Sequence, residues 1–310
     1  MNRLEVKKTK KRKKWPWIIA IIALAIAGVA LTVFLDLTST LKEMYKPIDR
    51  ELSDKREEGI AFDKKDPFSV LVLGVDEREG DKGRSDTMIV MTINPTLKST
   101  KMVSIPRDTY TEIVGHGTQD KLNHAYAFGG IQMSLDSVEN LLDMPIDYVA
   151  EVNMEGFQKV VDAVGGITVD NALEFTQDAF RFEAGEITLT GKEALSYVRM
   201  RKGDPNGDWG RQDRQRQVIQ GVLHEGKSVN SLLNYRSVFN ALGDNVKTNM
   251  TFDEMVGVQK NYRDAADTIE QLHFEKGTGE RMNGGIWYYV MDEEELQEVS
   301  STLKQHLELK

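Results

Sequence analysis

The chain has 310 residues, a formal net charge of −9 and no cysteine. The lack of cysteine excludes disulfide and thiol chemistry, and the acidic balance argues against a nucleic-acid partner, because basic residues that neutralise phosphates drive that binding. None of the five histidines has the spacing of zinc ligands, which argues against a zinc site.

The N-terminal end combines a basic tail with an apolar run. Residues 1–14 carry eight lysines and arginines, and residues 18–35 carry no charge. The apolar run is long enough to cross roughly 30 Å of hydrocarbon as a helix, and Trp15 and Trp17 at its basic end suit a membrane interface. The sequence therefore predicts a basic cytoplasmic tail over 1–14 and a transmembrane signal-anchor helix over 15–35.

These features predict a single-pass type II protein of the cell membrane, with the residues after Asp36 extracytoplasmic. The alternative is a signal peptide cleaved at Ala25-Ile26-Ala27, although the apolar run continues well past that point. Residues 36–66 are polar with periodic apolar positions and end before Pro67, which predicts a helical stalk or linker. Residues 67–310 have the length of one α/β domain.

The extracytoplasmic part alternates between strand-like and helix-like patterns. Short β-branched or aromatic runs predict strands, and longer stretches with apolar residues at helical spacing predict helices. This alternation predicts a layered sheet with helices on both faces. The predicted strands are 68–75, 86–94, 101–105, 148–152, 167–169 and 286–291, and the predicted helices are 131–142, 154–164, 191–200, 209–225, 228–242 and 293–307.

Two aspartates are candidate metal ligands. Asp76 directly follows the first predicted strand and Asp86 opens the next, so adjacent strands would bring both carboxylates to one point. Such a pair suits Mg²⁺, which binds one or two protein carboxylates and completes its shell with phosphate and water. The alternative is that both acids cap or solvate a loop.

Arginines form a candidate anion site, because each guanidinium binds phosphate oxygens in pairs. Arg107 follows the third predicted strand, Asp108 either orients it or caps the next turn, and Arg84 lies two residues before Asp86. A dense cluster surrounds the start of the 209–225 helix, where a helix N-terminus also attracts phosphate. Its members are Arg199, Arg201, Arg211, Arg214 and Arg216, with Gln215 on the face of Arg211. The alternative for each arginine is a local ion pair on a solvated surface.

Residues 221–228 match the GxxxxGK[ST] pattern of a phosphate loop. Such a loop requires a strand before it and a helix after it, whereas the residues before this segment have helical spacing. We therefore exclude a nucleotide loop and interpret Gly226 as the end of one helix and Ser228 as the cap of the next.

Six segments between residues 68 and 223 form an ordered set: GVDEREGDKGRSDTMIV, KMVSIPRDTY, KLNHAYAFGG, GGITVDN, LTGKEALSYVRMR and DWGRQDRQRQV. Each segment by itself is weak evidence for any family. In this order, behind a membrane anchor, they resemble the LytR–CpsA–Psr family of bacterial envelope proteins, and its wall-teichoic-acid transferases in particular. The chain departs from the family pattern at His124, where a small residue is expected.

The resemblance implies an α-β-α sandwich around a central mixed sheet, outside the membrane. It also implies a phosphotransferase that depends on Mg²⁺, with Mn²⁺ as the alternative metal. The enzyme would move an anionic glycopolymer, wall teichoic acid in the first instance, from an undecaprenyl-pyrophosphate carrier to the C6 hydroxyl of N-acetylmuramic acid in peptidoglycan. Undecaprenyl phosphate would leave.

The resemblance also assigns residues. Asp76 and Asp86 correspond to the metal-binding carboxylates and, with Arg107, to the catalytic residues; the general base stays open between the two aspartates. The pyrophosphate-binding residues would be Arg84, Arg107, Arg199, Arg201, Arg211, Arg214 and Gln215, while Arg216 has no counterpart and is expected on the surface. Two other functions remain alternatives: a polyprenyl-pyrophosphate pyrophosphatase, and a non-catalytic scaffold that binds anionic lipid or polymer.

Overall fold

The structure, a computed structural model, describes residues 45–46, 48, 52–76, 83–228, 245–282 and 284–309. The predicted basic tail and transmembrane segment, and most of the predicted 228–242 helix, lie outside these residues. Within the described ranges, no helix has the length and apolar character needed to cross a membrane.

Strands and helices alternate along the described part of the chain. The strands are β1 (Phe68–Val75), β2 (Ser85–Asn94), β3 (Ser99–Ser104), β4 (Tyr110–Ile113), β5 (Thr118–Lys121), β6 (Tyr148–Asn153), β7 (Ile167–Asn171), β8 (Phe175–Gln177), β9 (Phe180–Phe182), β10 (Gly185–Leu189), β11 (Val246–Thr248), β12 (Thr268–Leu272), β13 (Thr278–Met282) and β14 (Ile286–Val290). The helices are α1 (His124–Leu142), α2 (Met154–Ala163), α3 (Gly191–Arg199), α4 (Asp208–Ser228), α5 (Phe252–Asn261) and α6 (Glu293–His306), with a 3₁₀ turn at Arg263–Ala266.

The central sheet has six strands in the order β11-β6-β1-β2-β3-β12. The β1–β6 and β3–β12 pairs are parallel, whereas β1–β2, β2–β3 and β6–β11 are antiparallel. The mixed sheet predicted for the chain is therefore confirmed. Four shorter two-stranded sheets lie outside it among the described residues, and most of their strands were not predicted from the sequence.

Helices cover both faces of the central sheet. Successive side chains of β1 and β2 point to opposite sides, so these apolar strands have a core on each face. One face packs against α1 and α6, and the other packs against α4. The first core contains Leu71, Leu73, Met88, Val90, Leu135, Val138 and Leu303, and the second contains Val72, Ile89, Met91, Ile219 and Leu223. This arrangement is the predicted α-β-α sandwich.

Two predicted helix boundaries differ from the structure by more than one residue. Helix α1 begins at His124, before the predicted start, and is kinked at Gly129 and Gly130, whose backbone angles are not helical. Helix α4 continues through Gly226 to Ser228, so the expected helix end at Gly226 is wrong. The continuous helix confirms that residues 221–228 do not form a phosphate loop, since no strand precedes them.

The described end of the predicted stalk, residues 52–66, forms turns in place of a helix and packs against the domain. Phe62 is buried, and its ring lies 5.5 Å from that of Phe68 and 5.6 Å from that of Tyr262, both edge to face. Arg56 forms an ion pair with Asp147 at the start of β6. The packed core therefore begins before residue 67.

Candidate anion-binding site

The end of the β1–β2 hairpin carries a bulge. Gly74 pairs with Thr87 and Val75 pairs with Ser85, so Asp86 is an extra residue on β2. A Cβ atom at Gly74 would lie 2.9 Å from Cβ of Thr87, which requires glycine at this close approach. Bulges change the direction of side chains at strand ends, and this bulge lies at Asp86.

Asp76 lies at the same end of the hairpin as Asp86, as the sequence predicted. It follows β1 directly, and its N–H donates to the carbonyl oxygen of Arg84 at 3.4 Å. Within the described ranges, no group of three or more acidic, histidine or cysteine side chains could hold a metal ion unaided. Two carboxylates at one strand end fit Mg²⁺ or Mn²⁺ when a phosphate group supplies the remaining oxygens.

Arg107, in the turn after β3, binds Asp86. Its Nη1 lies 2.8 Å from Oδ1 of Asp86, and its Nε lies 3.5 Å from Oδ2 of Asp108. Asp108 is itself held by Lys121, 2.7 Å away, so it orients Arg107. Burial lowers the pKa of Arg107, but Asp86, Asp108 and Asp208 outweigh burial and raise it overall. Arg107 therefore stays charged.

Arg211 approaches the same place from the first turn of α4. Its side chain is only 12% exposed, and its Nη2 lies 2.9 Å from Oδ1 of Asp208. Burial lowers the pKa of Arg211, the charges of Arg107 and Arg201 lower it further, and Asp208 and Asp86 offset only part of this. The two guanidinium groups repel each other. An anion bound between them would relieve this repulsion, so the pair favours an anionic ligand.

A narrow cavity of about 10 Å³ lies where these elements meet. Strands β2 and β3, the turn after β3 and the start of α4 all contribute to its wall. The lining residues are Asp86, Thr87, Met88, Ser104, Ile105, Arg107, Arg211, Gln212 and Gln215. The structure thus brings together four of the predicted site residues, and Gln215 shares the face of Arg211 as the helical spacing predicted.

Three other predicted arginines lie at exposed positions. Arg84 precedes β2, Arg199 ends α3, and Arg201 follows it in the loop before α4. The side chain of Arg201 is 57% exposed, and its Nε lies 3.7 Å from Oδ1 of Asp208. Asp208 therefore connects Arg201 to Arg211.

Arg214 is surrounded by the protein itself. Its Nη1 lies 2.7 Å from Oδ2 of Asp204, and its Nη2 donates to the carbonyl oxygen of Met200 at 2.6 Å. The guanidinium carbon also lies 5.4 Å and 5.9 Å from the ring centres of Phe175 and Tyr197. Both members of the ion pair are almost completely buried. These contacts join the α3–α4 loop to the side of α4.

The α3–α4 loop is folded around the carboxylate of Asp204. Its Oδ1 accepts from the N–H of Asn206 at 2.7 Å, and a Cβ atom at Gly210 would overlap the carboxylate. The loop leads from Arg201 to Asp208, which contact each other. Its packing therefore sets where Arg201 lies relative to the first turn of α4.

The expected surface position of Arg216 is wrong, because its side chain is only 2% exposed. Its Nε donates to Oε1 of Gln271 at 2.8 Å, and its Nη2 lies 3.1 Å from Nδ1 of His273 and forms an ion pair with Asp213. Burial lowers the pKa of Arg216. This side of α4 faces β12, so Arg216 joins the helix to the sheet.

Sequence reasoning missed three residues of this region: Ser104, Asp208 and Gln212. Asp208 stands three residues before Arg211, a spacing that pairs opposite charges on one helix face, and this signal could have identified it. Ser104 and Gln212 carry no distinctive pattern. Only the packing of β3 against α4 brings them together.

Comparisons with known proteins agree with this architecture. A model of the LytR_cpsA_psr family matches residues 31–305. The polyisoprenyl-teichoic acid–peptidoglycan teichoic acid transferase TagU of Bacillus subtilis (strain 168) is 53% identical over 291 residues, which are 94% of this chain and 94% of that protein. The crystal structure of B. subtilis TagU is 52% identical with a TM-score of 0.65, covering 79% of this chain and 99% of that chain. A structure of TagT bound to LI-WTA is 32% identical with a TM-score of 0.72, covering 86% and 100%. The predicted family resemblance is confirmed.

Proposed function

This chain belongs to the LytR_cpsA_psr family, and from that membership we propose that it is a transferase that moves teichoic acid from a polyisoprenyl carrier to peptidoglycan. The transferases named TagU in B. subtilis and Bacillus licheniformis align with nearly its whole length. The donor is an undecaprenyl-pyrophosphate-linked anionic glycopolymer, and the acceptor is the C6 hydroxyl of N-acetylmuramic acid.

One observation carries the proposal: Arg107 and Arg211, from different elements, line one cleft together with Asp86. Phosphoryl transfer needs little covalent help from a protein, and its rate depends on positioning and on neutralising negative charge. The two partly buried guanidinium groups supply that charge. They suit a pyrophosphate, whose two phosphates present oxygens on both sides of the bond that breaks.

In the reaction, the muramyl hydroxyl oxygen attacks the phosphorus atom that bears the first sugar of the polymer. A new P–O bond forms, the bond between the two phosphates breaks, and the lipid phosphate leaves. Asp76 or Asp86 accepts the hydroxyl proton. Both aspartates would also hold Mg²⁺ or Mn²⁺, which when bound neutralises phosphate charge. Arg107 and Arg211 bind the phosphates, and the exposed Arg84, Arg199 and Arg201 together with Gln215 would complete the anion site.

Arg214 has a different role in this proposal. Its Nη1 and Nη2 bind Asp204 and the carbonyl oxygen of Met200, so it positions the loop that carries Arg201. We further propose that residues 15–35 anchor the chain in the cell membrane as a type II protein, which would keep this domain beside its lipid-linked donor.

A transfer assay tests the function. The full-length chain in detergent micelles is mixed with a synthetic undecaprenyl-pyrophosphate-linked disaccharide and a peptidoglycan oligomer, with Mg²⁺ or with EDTA. We expect a phosphodiester-linked product that forms with Mg²⁺ and not with EDTA. Release of lipid phosphate without coupling would indicate a pyrophosphatase. Binding that persists in EDTA without any product would indicate a scaffold.

A further inference from the structure

Two exposed apolar side chains are neighbours on the β13–β14 hairpin. Ile286 is 47% exposed and Trp287 is 43% exposed. The indole of Trp287 packs over Gly279 of the facing strand, where a Cβ atom would lie 2.7 Å from the indole nitrogen. An exposed aromatic ring that is already held in place loses little conformational entropy when it binds a partner. The tip of the hairpin is therefore a candidate interaction surface.

The base of the hairpin lies next to the candidate anion-binding site. The N–H of Tyr289 donates to the carbonyl oxygen of Asp108 at 2.9 Å. The ring of Tyr289 also lies 5.7 Å from that of Trp209, in the first turn of α4. Asp108 follows Arg107, and Trp209 lies two residues before Arg211. The hairpin therefore extends from the end of the sheet that carries the site, which is the site end of the domain.

The direction of the chain at Tyr45 concerns the same end of the sheet. Tyr45 forms a parallel bridge with Thr248 of β11, and the N–H of Lys46 donates to the carbonyl oxygen of Thr248 at 2.8 Å. Since β11 is antiparallel to β6 and β6 is parallel to β1, Tyr45 and Lys46 run antiparallel to β1. They run away from the end at which Asp76 follows β1, so the chain enters the sheet from the site end.

Two constraints favour a bilayer beside the site end. Nine residues, 36–44, separate the predicted anchor from Tyr45, and a chain of this length spans at most about 30 Å. The donor of the proposed reaction is held in the bilayer by its polyisoprenyl chain, while its pyrophosphate must reach Arg107 and Arg211. Both constraints are met when the site end of the domain faces the bilayer.

The hairpin tip suits a lipid surface in its charge and its side chains. Its two charged residues, Glu280 and Arg281, have opposite charges, and Nη1 of Arg281 donates to the carbonyl oxygen of Gly285 at 2.7 Å. Tryptophan favours the boundary between lipid headgroups and hydrocarbon, and an isoleucine beside it gains from burial. The chain carries a net charge of −9, so anionic lipid would not attract it. We therefore expect apolar contacts to provide the binding.

Insertion of the tip must stay shallow. Among the described residues β13 pairs only with β14, so its outer edge has backbone N–H and C=O groups without a strand partner. Such groups are costly in hydrocarbon, where no water is present to bind them. The tip can therefore enter the headgroup region and the uppermost hydrocarbon, and no deeper.

We propose that Ile286 and Trp287 insert into the surface of the bilayer and thereby hold the site end of the sheet against the membrane. The hairpin would position the site at the pyrophosphate of the lipid-linked donor. The proposal rests on the transferase function given above, because it assumes a donor that is carried by a membrane lipid.

Fluorescence quenching tests the position of the tip, with the full-length chain in phosphatidylcholine liposomes. Because the chain has no cysteine, Glu280→Cys provides a single labelling site beside the tip. Leu97→Cys is the matched control, since Leu97 is 58% exposed and lies in the β2–β3 turn at the opposite end of the sheet. The quencher is attached to lipid, either near the headgroup or near the end of the acyl chain.

We expect the headgroup quencher to reduce the fluorescence of the label on Glu280→Cys strongly and the acyl-chain quencher to reduce it weakly. Neither should affect the label on Leu97→Cys. Adding Ile286→Ser and Trp287→Ser to Glu280→Cys should remove the quenching, whereas high salt should not.

The double substitution of Ile286 and Trp287 should change the melting temperature little, because both side chains are exposed. It should raise the KM for a donor in liposomes about 10-fold, which is the effect of about one buried apolar side chain. The KM for a soluble farnesyl-linked donor should be unchanged, because that donor does not require the domain to bind a membrane.

Equal quenching of the two labels, no quenching of either, or quenching that survives the double substitution would overturn the proposal. Energy transfer between Glu280→Cys copies that carry different labels would also overturn it, since the tip would then bind a second copy of the chain. Quenching as expected without any transfer activity would contradict the proposed function alone, so the two failures are distinguishable.

Discussion

Arginine side chains have opposite surroundings in two regions of the molecule. Where the linker meets the sheet, Nε and Nη2 of Arg56 lie 2.6 Å and 2.9 Å from the two carboxylate oxygens of Asp147, and Nη2 also donates to the carbonyl oxygen of Pro67 at 2.8 Å. The backbone N–H of Ser69 donates to the same carboxylate at 2.8 Å. This ion pair is fully surrounded by the protein.

In the cleft, Arg211 has one acidic partner, Asp208, and its buried Nε has no partner. Its pKa is lowered by burial and by neighbouring arginines, whereas that of Arg107 is raised by its acids. The two arginines therefore differ in how far the fold itself uses their hydrogen-bond donors. Arg56 binds both oxygens of one carboxylate and a backbone carbonyl oxygen, whereas Arg211 lines the cleft and has a single acidic partner.

The largest effect is expected for Arg211→Ala. Removing a guanidinium that stabilises developing charge should lower the transfer rate by about 100- to 1000-fold. The melting temperature should change little, because Arg211 does not hold the fold together as Arg56 does. Arg211→Lys is the control. Its transfer rate should lie between those of the unchanged chain and Arg211→Ala, because lysine keeps the charge without the planar fork. A transfer rate within a few-fold of the unchanged chain would remove Arg211 from the site.

Asp147→Asn should lower stability and leave ligand binding unchanged. Arg56 would keep its buried charge without a counter-charge, which should lower the free energy of unfolding by about 3 to 5 kcal/mol. Urea denaturation measures this change. The affinity of the folded protein for farnesyl pyrophosphate should be unchanged. A variant that is as stable as the unchanged chain, or one that binds the probe more weakly, would contradict the division between the two regions.

Asp204→Asn should affect both properties, because the Asp204–Arg214 pair is structural but lies beside the site. We expect a loss of about 3 to 5 kcal/mol in unfolding free energy, as for Asp147→Asn, because Arg214 would keep its buried charge without a counter-charge. The KM for the lipid-linked donor should rise more than kcat falls, since the loop that carries Arg201 would be less well positioned. Steady-state kinetics of the folded fraction measures KM and kcat separately. An unchanged KM would show that Arg214 has no part in substrate binding.

The pH dependence of stability should report on His306, far from the acids of the cleft along the chain. Its Nδ1 lies 2.8 Å from Oγ1 of Thr92 and its Nε2 lies 2.9 Å from Oγ of Ser99. Burial, together with the charge of Lys101, lowers its pKa from 6.5 to about 4. Below pH 6.5 the unfolded chain takes up a proton that the folded chain does not, so stability falls as the pH drops from 6.5 toward 4.

The stability lost between pH 6.5 and 4 should be about 3 kcal/mol, from the difference between the two pKa values. Chemical denaturation of the unchanged chain and of His306→Gln at several pH values measures it. The stability of the variant should show a shallower slope between pH 6.5 and 4. Parallel slopes for the two proteins would show that His306 does not titrate in this way.

The smallest effect is expected at Asp143, an exposed acid near the linker. Lys304 and Lys55 bind its carboxylate and lower its pKa to about 2. Its contribution is present above pH 3.8 and is lost as the pH falls toward 2, but the side chain is 70% exposed and solvent screens the pair. Asp143→Asn should therefore cost less than about 1 kcal/mol, and less still in high salt. A loss as large as that of Asp147→Asn would show that exposure does not separate the two acids.

Local patterns in the sequence were sufficient for the main elements of the fold. The apolar run of β1, the helical spacing in α4 and the glycines after α2 are short-range signals, and the structure has these elements where they were predicted. The six ordered segments were sufficient to identify the family. Asp76 and Arg107 were identified as site candidates because each follows a predicted strand, where sheets of this class bind ligands. Asp86 was identified because it opens the strand next to Asp76.

Short-range signals could not decide the roles of individual side chains on α4. Arg211, Arg214 and Arg216 lie within six residues, but one lines the cleft, one binds the α3–α4 loop and one binds β12. Helical geometry turns each arginine to a different direction, and only the packed neighbours determine what stands there.

Local sequence patterns thus gave the order of the elements, the family and the residue types of an anion site. Only packing in the folded state sets which of the arginines bind other parts of the fold and which line the cleft. Strand pairing has the same origin: the N–H of Tyr289 donates to the carbonyl oxygen of Asp108 at 2.9 Å, between segments far apart in the chain. Ser104 and Gln212 likewise meet through packing. Such contacts depend on chain segments that approach each other only in the folded state, so no local pattern encodes them.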